Sequence, residues 1–323
     1  MLNVALVGLG WWGRTILALL EGNRKLQVVR RVDPHVREEG VTPDLEAALQ
    51  DPKVQAMILC TPHSQHTEQI ILAAGAKKHV FCEKPLSLSR EAVLRAVAAC
   101  NDNGVVIAVG HEKRFEPPIR EVFRMARMGE LGTLLQIEAN FSQDKFLALA
   151  KDNWRLSGKE APAGPMTATG VHLLDLSVGL LGPAQRVFAS VRQLGSQLVN
   201  GDTLGVLVNF KSGANALLSA ILATPFEGRF AVYGTKGWVE VRDKAHPEAP
   251  QGWTLAFKPK DADKTVREYP PAPAVLANLE AFADAISGHA PYPVPQRDMI
   301  ANICALEAIF RSSASGAVEH VQN

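Results

Sequence analysis

Residues 3–14 read NVALVGLGWWGR. The apolar run before Gly8 has the length of a short buried strand, and RTILALLEGN (14–23) after it spaces its apolar residues as a helix does. Between the two, Gly8, Gly10 and Gly13 fit G-x-G-x-x-G. Glycines alone say little, because ordinary turns use them. Here a strand precedes them, a helix follows at once, and Asp33 ends the next strand pattern, LQVVRRVD, 20 positions after Gly13. That combination is a dinucleotide-binding fingerprint. The glycines let the backbone approach a pyrophosphate. The helix that opens at Trp11 and Trp12 offers free N–H groups and a positive dipole end, so both tryptophans belong to the expected cofactor loop. A carboxylate at Asp33 accepts from a ribose 2′-OH and repels a 2′-phosphate, so NAD is the expected cofactor. Arg30, Arg31 and Arg37 stand close in sequence and keep NADP open.

Outward from this loop, strand and helix patterns alternate for about 110 residues: QAMILCTP, HTEQIILAAGAK, HVFCE, SREAVLRAVAACNDNG and VVIAVGH. Ser89 reads as a helix cap and Gly104 as a stop. Alternation of this kind predicts a doubly wound parallel sheet with right-handed crossovers. Near Pro117 and Pro118 the pattern changes. A helix, PIREVFRMARMGELG, leads into longer alternating segments from LLQIEANFS to GWTLAFKP, interrupted by one helix between His172 and Gly182. Two helical segments close the chain. The expectation is two domains, residues 1–118 and 119–323. The second is an α+β domain with a largely antiparallel sheet open on one face.

The 323 residues exceed what one core usually serves. Lys and Arg number 34 against 33 Asp and Glu, which gives no polyanion a reason to bind, and no nucleic-acid partner is expected. No apolar stretch reaches a membrane span, and the glycine-broken N-terminus reads as a first strand rather than a signal peptide. Cys60, Cys82, Cys100 and Cys304 include no CxxC pair. They read as reduced thiols in a cytoplasmic protein.

These segments resemble the Gfo/Idh/MocA family of oxidoreductases, named for glucose–fructose oxidoreductase and inositol 2-dehydrogenase. The likeness rests on VALVGLGWWGR, the run ILCTPHSQHTEQIILAAGAKKHVFCEKPLS, then KRFEP, TGVHLLDL, YGTKGWVEV and EAIFRSSASG. It implies an N-terminal Rossmann domain and a C-terminal α/β domain whose sheet makes oligomer contacts, in a homodimer or homotetramer. It also implies NAD(P)-dependent hydride transfer at a hydroxyl-bearing carbon of a small polyol, sugar, cyclitol or dihydrodiol. By position, Thr61, Pro62 and His66 would line the cofactor near its nicotinamide end, and Glu83 would contact the nicotinamide ribose. Lys84 would be the catalytic lysine and His172 the histidine of the catalytic region, with Asp175 behind it. Arg155 falls where relatives contact substrate. Where the family often carries an aspartate four residues before the histidine, this chain has Ala168. Thr167 or Thr169 would supply a hydroxyl there in its place.

Read from the residues alone, Lys84 stands at the end of the strand HVFC, with Pro85 forbidding its continuation. Ligands bind outside such strand ends in open parallel sheets. His63 and His66 follow another strand, where cofactor contact or helix capping is expected, and His111 follows VVIAVG and is expected to line the same cleft. His172 is either a proton-transfer group or a histidine satisfied at a helix start. His63/His66 and His172/Asp175 have metal-like spacing, but no third and fourth ligands match it, so no metal is expected. His35, His79, His246, His289 and His320 read as surface residues. Two other functions share the same fold: a nucleotide-binding regulator without chemistry, and a glycoside hydrolase that uses NAD transiently.

Overall fold

The computed structural model describes residues 1–322, which form two compact units. The first comprises residues 1–112 and 275–299. Its parallel sheet contains β1 (Leu2–Val7), β2 (Leu26–Val32), β3 (Val41–Thr42), β4 (Ala56–Leu59), β5 (His79–Cys82) and β6 (Ile107–Val109), in the order β3-β2-β1-β4-β5-β6. The apolar runs of β1, β4 and β5 are buried almost throughout, as expected of strands covered on both faces. The order reverses at β1, which makes the crevice beside it the switch point of a doubly wound sheet. Register then aligns the strand ends. Val7 is level with Val32 and Leu59, Leu59 with Cys82, and Cys82 with Val109. The segments that follow these five residues therefore leave one edge of the sheet together.

The crossover helices are α1 (Trp11–Leu20), α2 (Leu45–Gln50), α3 (His66–Gly75) and α4 (Arg90–Asp102). Ser89 caps α4 as expected, its Oγ accepting from the Ala92 amide at 3.3 Å. A helix from far along the chain, which we number α7 below, also joins this core: Leu279, Phe282 and Ala283 pack with Leu2, Val4, Leu6, Ile58 and Phe81.

The second unit comprises residues 113–274 and 300–322. Its elements are α5 (Pro117–Arg127), β7 (Leu134–Ser142), α6 (Val171–Leu181), β8 (Ala184–Arg192), β9 (Thr203–Phe210), β10 (Asn215–Ile221), β11 (Glu227–Gly234), β12 (Gly237–Asp243), β13 (Trp253–Pro259) and β14 (Thr265–Tyr269). Next in the chain come α7 (Ala274–Ile286) of the first unit, α8 (Gln296–Ser315), which spans the division, and β15 (Glu319–His320). The nine strands order as β14-β13-β12-β11-β7-β10-β9-β8-β15, antiparallel except for β7 with β10. Alternation turns Ile137, Ala139, Phe141, Leu204, Val206 and Val208 to the buried face. On the other face Phe188, Leu207 and Leu217 stand in cross-strand register and remain about 40% exposed.

Two boundaries differ from the sequence expectation. The division falls at Glu112/Lys113 rather than at the prolines, and residues 275–299 return to the first unit.

One buried carboxylate organises the loop between β8 and β9. Asp202 accepts from the amides of Leu194 and Gly195 and from the hydroxyls of Ser196 and Thr203, at 2.8–3.1 Å. Burial pushes its carboxyl up, but these donors overrule it and hold the pKa at about 2, against an ordinary 3.8. A depressed folded-state value stabilises the fold above the unfolded value and stops doing so as pH falls through the folded one. Asp202→Asn should therefore cost ~1–2 kcal/mol at neutral pH in urea melts, and the wild type should lose that advantage as pH drops from about 4 toward about 2.

Candidate active site

In the first unit, the positions around the glycine loop fit a dinucleotide. Gly8 takes φ +89°, and a Cβ there would stand 2.7 Å from the Cys60 carbonyl oxygen. A Cβ on Gly13 would collide with the carbonyl of Gly8. Both glycines are thus required by the loop's own packing. Gly10 differs: a Cβ there would meet no protein atom within 4 Å, and no side chain caps α1 behind it. What a side chain at Gly10 would fill is the approach to the first amides of α1, the place a diphosphate takes. Trp11 is exposed beside it and Trp12 half-buried, their rings edge-on at 6.3 Å.

Asp33 is nearly buried and braces this loop. Its Oδ2 accepts from the Leu9 amide at 2.7 Å, and its Oδ1 from the amides of His35 and Val36. The arginines nearby are engaged locally: Arg30 with Asp51, Arg31 with the Glu39 carbonyl, Arg37 with the Pro34 carbonyl. Arg14 pairs with Glu38, a second acid on this side of the loop.

The next two strand ends carry the remaining expected cofactor residues. Thr61 is buried and its hydroxyl donates to Gln69 Oε1 at 2.6 Å, while Pro62 is half-buried. His66 lies deeper than its neighbours in this segment. Its ring is fully buried, with Nδ1 2.9 Å from the Pro85 carbonyl oxygen and Nε2 3.0 Å from that of Thr61, so both nitrogens address main chain. Glu83 is buried, and a Cβ on Gly110 would lie 2.5 Å from its carboxylate oxygens. That glycine makes room for the acid between the ends of β5 and β6. Glu83 Oε2 accepts from the Lys84 amide at 3.2 Å, and Lys84 itself is half-buried. His111, following β6, is buried. Cys82 lies beneath Glu83, and burial pushes its thiol well up, with Glu83 adding to the shift, which keeps it unreactive.

In the second unit, a π-helical turn over Met166–Gly170 feeds α6 and sets His172 in its first turn. His172 is buried, its ring 6.0 Å from that of Phe141. The hydroxyls of Thr167 and Thr169 are engaged with main chain. Thr169 Oγ1 donates to the Phe141 and Pro165 carbonyls at 2.8 and 3.3 Å, and Thr167 to the Gly164 carbonyl, the usual back-bonding of helical threonines. Ala168 packs against Phe146, Leu198 and Leu222, surroundings in which a carboxylate would be poorly solvated.

Asp175 is completely buried, and its carboxylate accepts from Arg114 Nε at 2.7 Å and Nη2 at 2.9 Å, in a bidentate pair. This makes it a structural partner of Arg114. A Cβ on Gly179 would collide with the guanidinium, so that glycine opens the slot Arg114 fills. Arg114 carries no local signal in the sequence, because its partner stands 61 residues away. The preceding Lys113 is buried too, with Nζ 3.2 Å from both Glu116 and Asp243. Burial pulls its pKa down, but those two carboxylates overrule it and hold the ammonium charged beyond the ordinary lysine range. Trp253 Nε1 donates to the same Asp243 at 2.8 Å.

Arg155 is half-buried and lies over the Trp154 ring at 4.2 Å. Two histidines read as surface are not. His246 sits 5.9 Å from the rings of both Phe141 and Phe226, with its Nδ1 2.9 Å from Lys145 Nζ. His79 Nδ1 accepts from the Val106 amide, and burial lowers its pKa. Among the described residues, no group of three or more His, Cys, Asp or Glu is placed to hold a metal, and no helix is long and apolar enough to cross a membrane.

Comparison with known proteins agrees with these features. Residues 2–111 match the family described as "Oxidoreductase family, NAD-binding Rossmann fold", and residues 119–240 match the "GFO/IDH/MocA C-terminal domain". The chain is 28% identical over 282 residues to 1,5-anhydro-D-fructose reductase of Ensifer adhaerens, covering 86% of this chain and 83% of that one. It is 31% identical over 229 residues to scyllo-inositol 2-dehydrogenase (NAD(+)) of Bacillus subtilis, covering 67% and 64% of the two chains. Among solved structures, aldose-aldose oxidoreductase of Caulobacter crescentus superposes with a TM-score of 0.85 at 23% identity, over 99% of each chain, a likeness of fold.

Proposed function

The chain belongs to the GFO/IDH/MocA oxidoreductase family and is an NAD(P)-dependent enzyme of hydroxyl-bearing carbons, and we propose that Lys84 and His172 handle the proton of its reaction. The substrate class we assign is a small polyol, sugar, cyclitol or dihydrodiol. NAD, when bound, supplies the hydride acceptor. The loop from Gly8 to Gly13 and the first turn of α1 hold its diphosphate. Asp33 favours ribose hydroxyls over a 2′-phosphate. Thr61, Pro62 and Glu83 line the nicotinamide end. Lys84 takes the hydroxyl proton as the carbon gives up hydride, and His172 is the second proton-handling group of the reaction. Arg155 contacts the rest of the substrate.

The observation that carries this reading is the common level of Val7, Leu59, Cys82 and Val109, since the glycine loop and the Glu83–Lys84 turn both start from that edge. The open face of the nine-stranded sheet, with Phe188, Leu207 and Leu217 in a row, supports a homodimer or homotetramer formed through it. Four cysteines without a disulfide support a cytoplasmic location.

The test is NADH formation at 340 nm across a panel of polyols, inositols, sugars and dihydrodiols. Turnover of at least one compound is expected. Sugar release without net NADH would instead mark a hydrolase, and no turnover with any compound a regulator. With the substrate in hand, His172→Ala should leave NAD affinity near wild type while turnover falls roughly 10²-fold or more. Wild-type turnover in that variant would return His172 to a structural role.

A further inference from the structure

His66 lies wholly inside the first unit, and each of its ring nitrogens faces a carbonyl oxygen: Nε2 that of Thr61 at 3.0 Å, Nδ1 that of Pro85 at 2.9 Å. Carbonyl oxygens only accept. A neutral imidazole carries a single N–H, so one of the two contacts would set a nitrogen lone pair against an oxygen lone pair at hydrogen-bond distance. With a proton on each nitrogen, both contacts become charge-assisted hydrogen bonds. Burial opposes a charge, but here two fixed dipoles replace water at the two points where an imidazolium needs acceptors. The ring of His63 stands edge-on to it at 5.8 Å. Glu83 and Lys84 directly precede Pro85 in the chain, so an acid and a second base share this turn.

We propose that His66 is a positioning residue held as an imidazolium, clasping the main chain after β4 to the main chain after β5. Thr61 is fixed through its carbonyl and Lys84 through the Pro85 to which it is bonded. The clasp thus ties the nicotinamide-end loop to the turn that carries the proton acceptor, and for this functional consequence it rests on the role proposed for Lys84. It also places a fixed positive charge behind that turn, of the sign that favours an uncharged lysine.

The test begins with the wild-type enzyme. Long-range ¹H–¹⁵N spectra of ¹⁵N-labelled protein report which ring nitrogens carry protons, and the His66 signals are those lost in His66→Gln. Both nitrogens should be protonated from about pH 6 to about pH 9, far above the range of an ordinary histidine. An unprotonated ring nitrogen anywhere in that interval overturns the proposal. His66→Gln should bind NAD near wild type with kcat lowered ~10-fold or more and substrate KM little changed, as expected when a reacting group is misplaced. Wild-type kcat in this variant would overturn the positioning role. The ring spectra do not depend on turnover. If Lys84 variants proved active, the lysine's role would fall, and the clasp would still be judged by its own spectrum.

Discussion

Lys84→Ala should lose roughly 10²- to 10⁴-fold in turnover while folding and binding NAD as the wild type does. The side chain is half-buried at the end of β5, and its main-chain amide is held by Glu83, so truncating it removes no core packing. What it removes is the group we propose as acceptor of the substrate's hydroxyl proton as hydride leaves. Lys84→Arg keeps the positive charge and most of the length, yet should not restore the rate. A guanidinium does not release its proton near neutral pH and cannot take one up. NADH formation by both variants, with NAD binding followed by protein fluorescence, decides the matter. Near-normal turnover in the arginine variant would reduce Lys84 to a stabiliser of developing negative charge.

Arg114→Met should destabilise the protein by about 3–5 kcal/mol, because it strands the Asp175 carboxylate in a site with no access to water. The guanidinium now satisfies both oxygens of that carboxylate and also donates to the Asp175 carbonyl at 2.9 Å. The decisive measurement is a comparison of urea midpoints. Arg114→Met combined with Asp175→Leu should be more stable than Arg114→Met alone, since the double variant buries no unpaired charge. Equal or lower stability of the double variant would mean that the pair is not what the buried site depends on. His172 lies three residues before Asp175 on α6, so the single variant should also turn over more slowly.

The alternation of β1 to β6 with their helices was readable because long apolar runs and glycine stops repeat locally. Short edge strands were not: β3 has two residues, and β14 is exposed almost throughout, so neither shows an apolar rhythm. Pro117 and Pro118 marked a change of pattern but not the division between units. The second unit begins at Lys113, whose ion pairs with Glu116 and Asp243 join it to that unit, and Asp243 lies 130 residues away. Among the candidate site residues, the glycine loop, Asp33 and the Glu83–Lys84–Pro85 turn stand out in the sequence because each is a compact motif. Arg114 with Asp175, the main-chain bonds of Thr167 and Thr169, and the half-burial of His246 depend on contacts that only the folded chain creates.

The position of α7 bears on how the protein is made. Phe282 meets Phe81 edge-on at 5.9 Å, and Asn278 Nδ2 donates to the Val109 carbonyl at 3.0 Å, so a segment translated later completes the interior of a unit translated earlier. A nascent chain that has just emitted Glu112 already holds every strand of the parallel sheet but not the cover for one side of it. Until Ala274–Ile286 emerges from the ribosome, the apolar flank around Leu6 and Phe81 stays open to chaperones or to other nascent chains, and cutting the gene at the apparent end of the nucleotide-binding half leaves that flank bare for good.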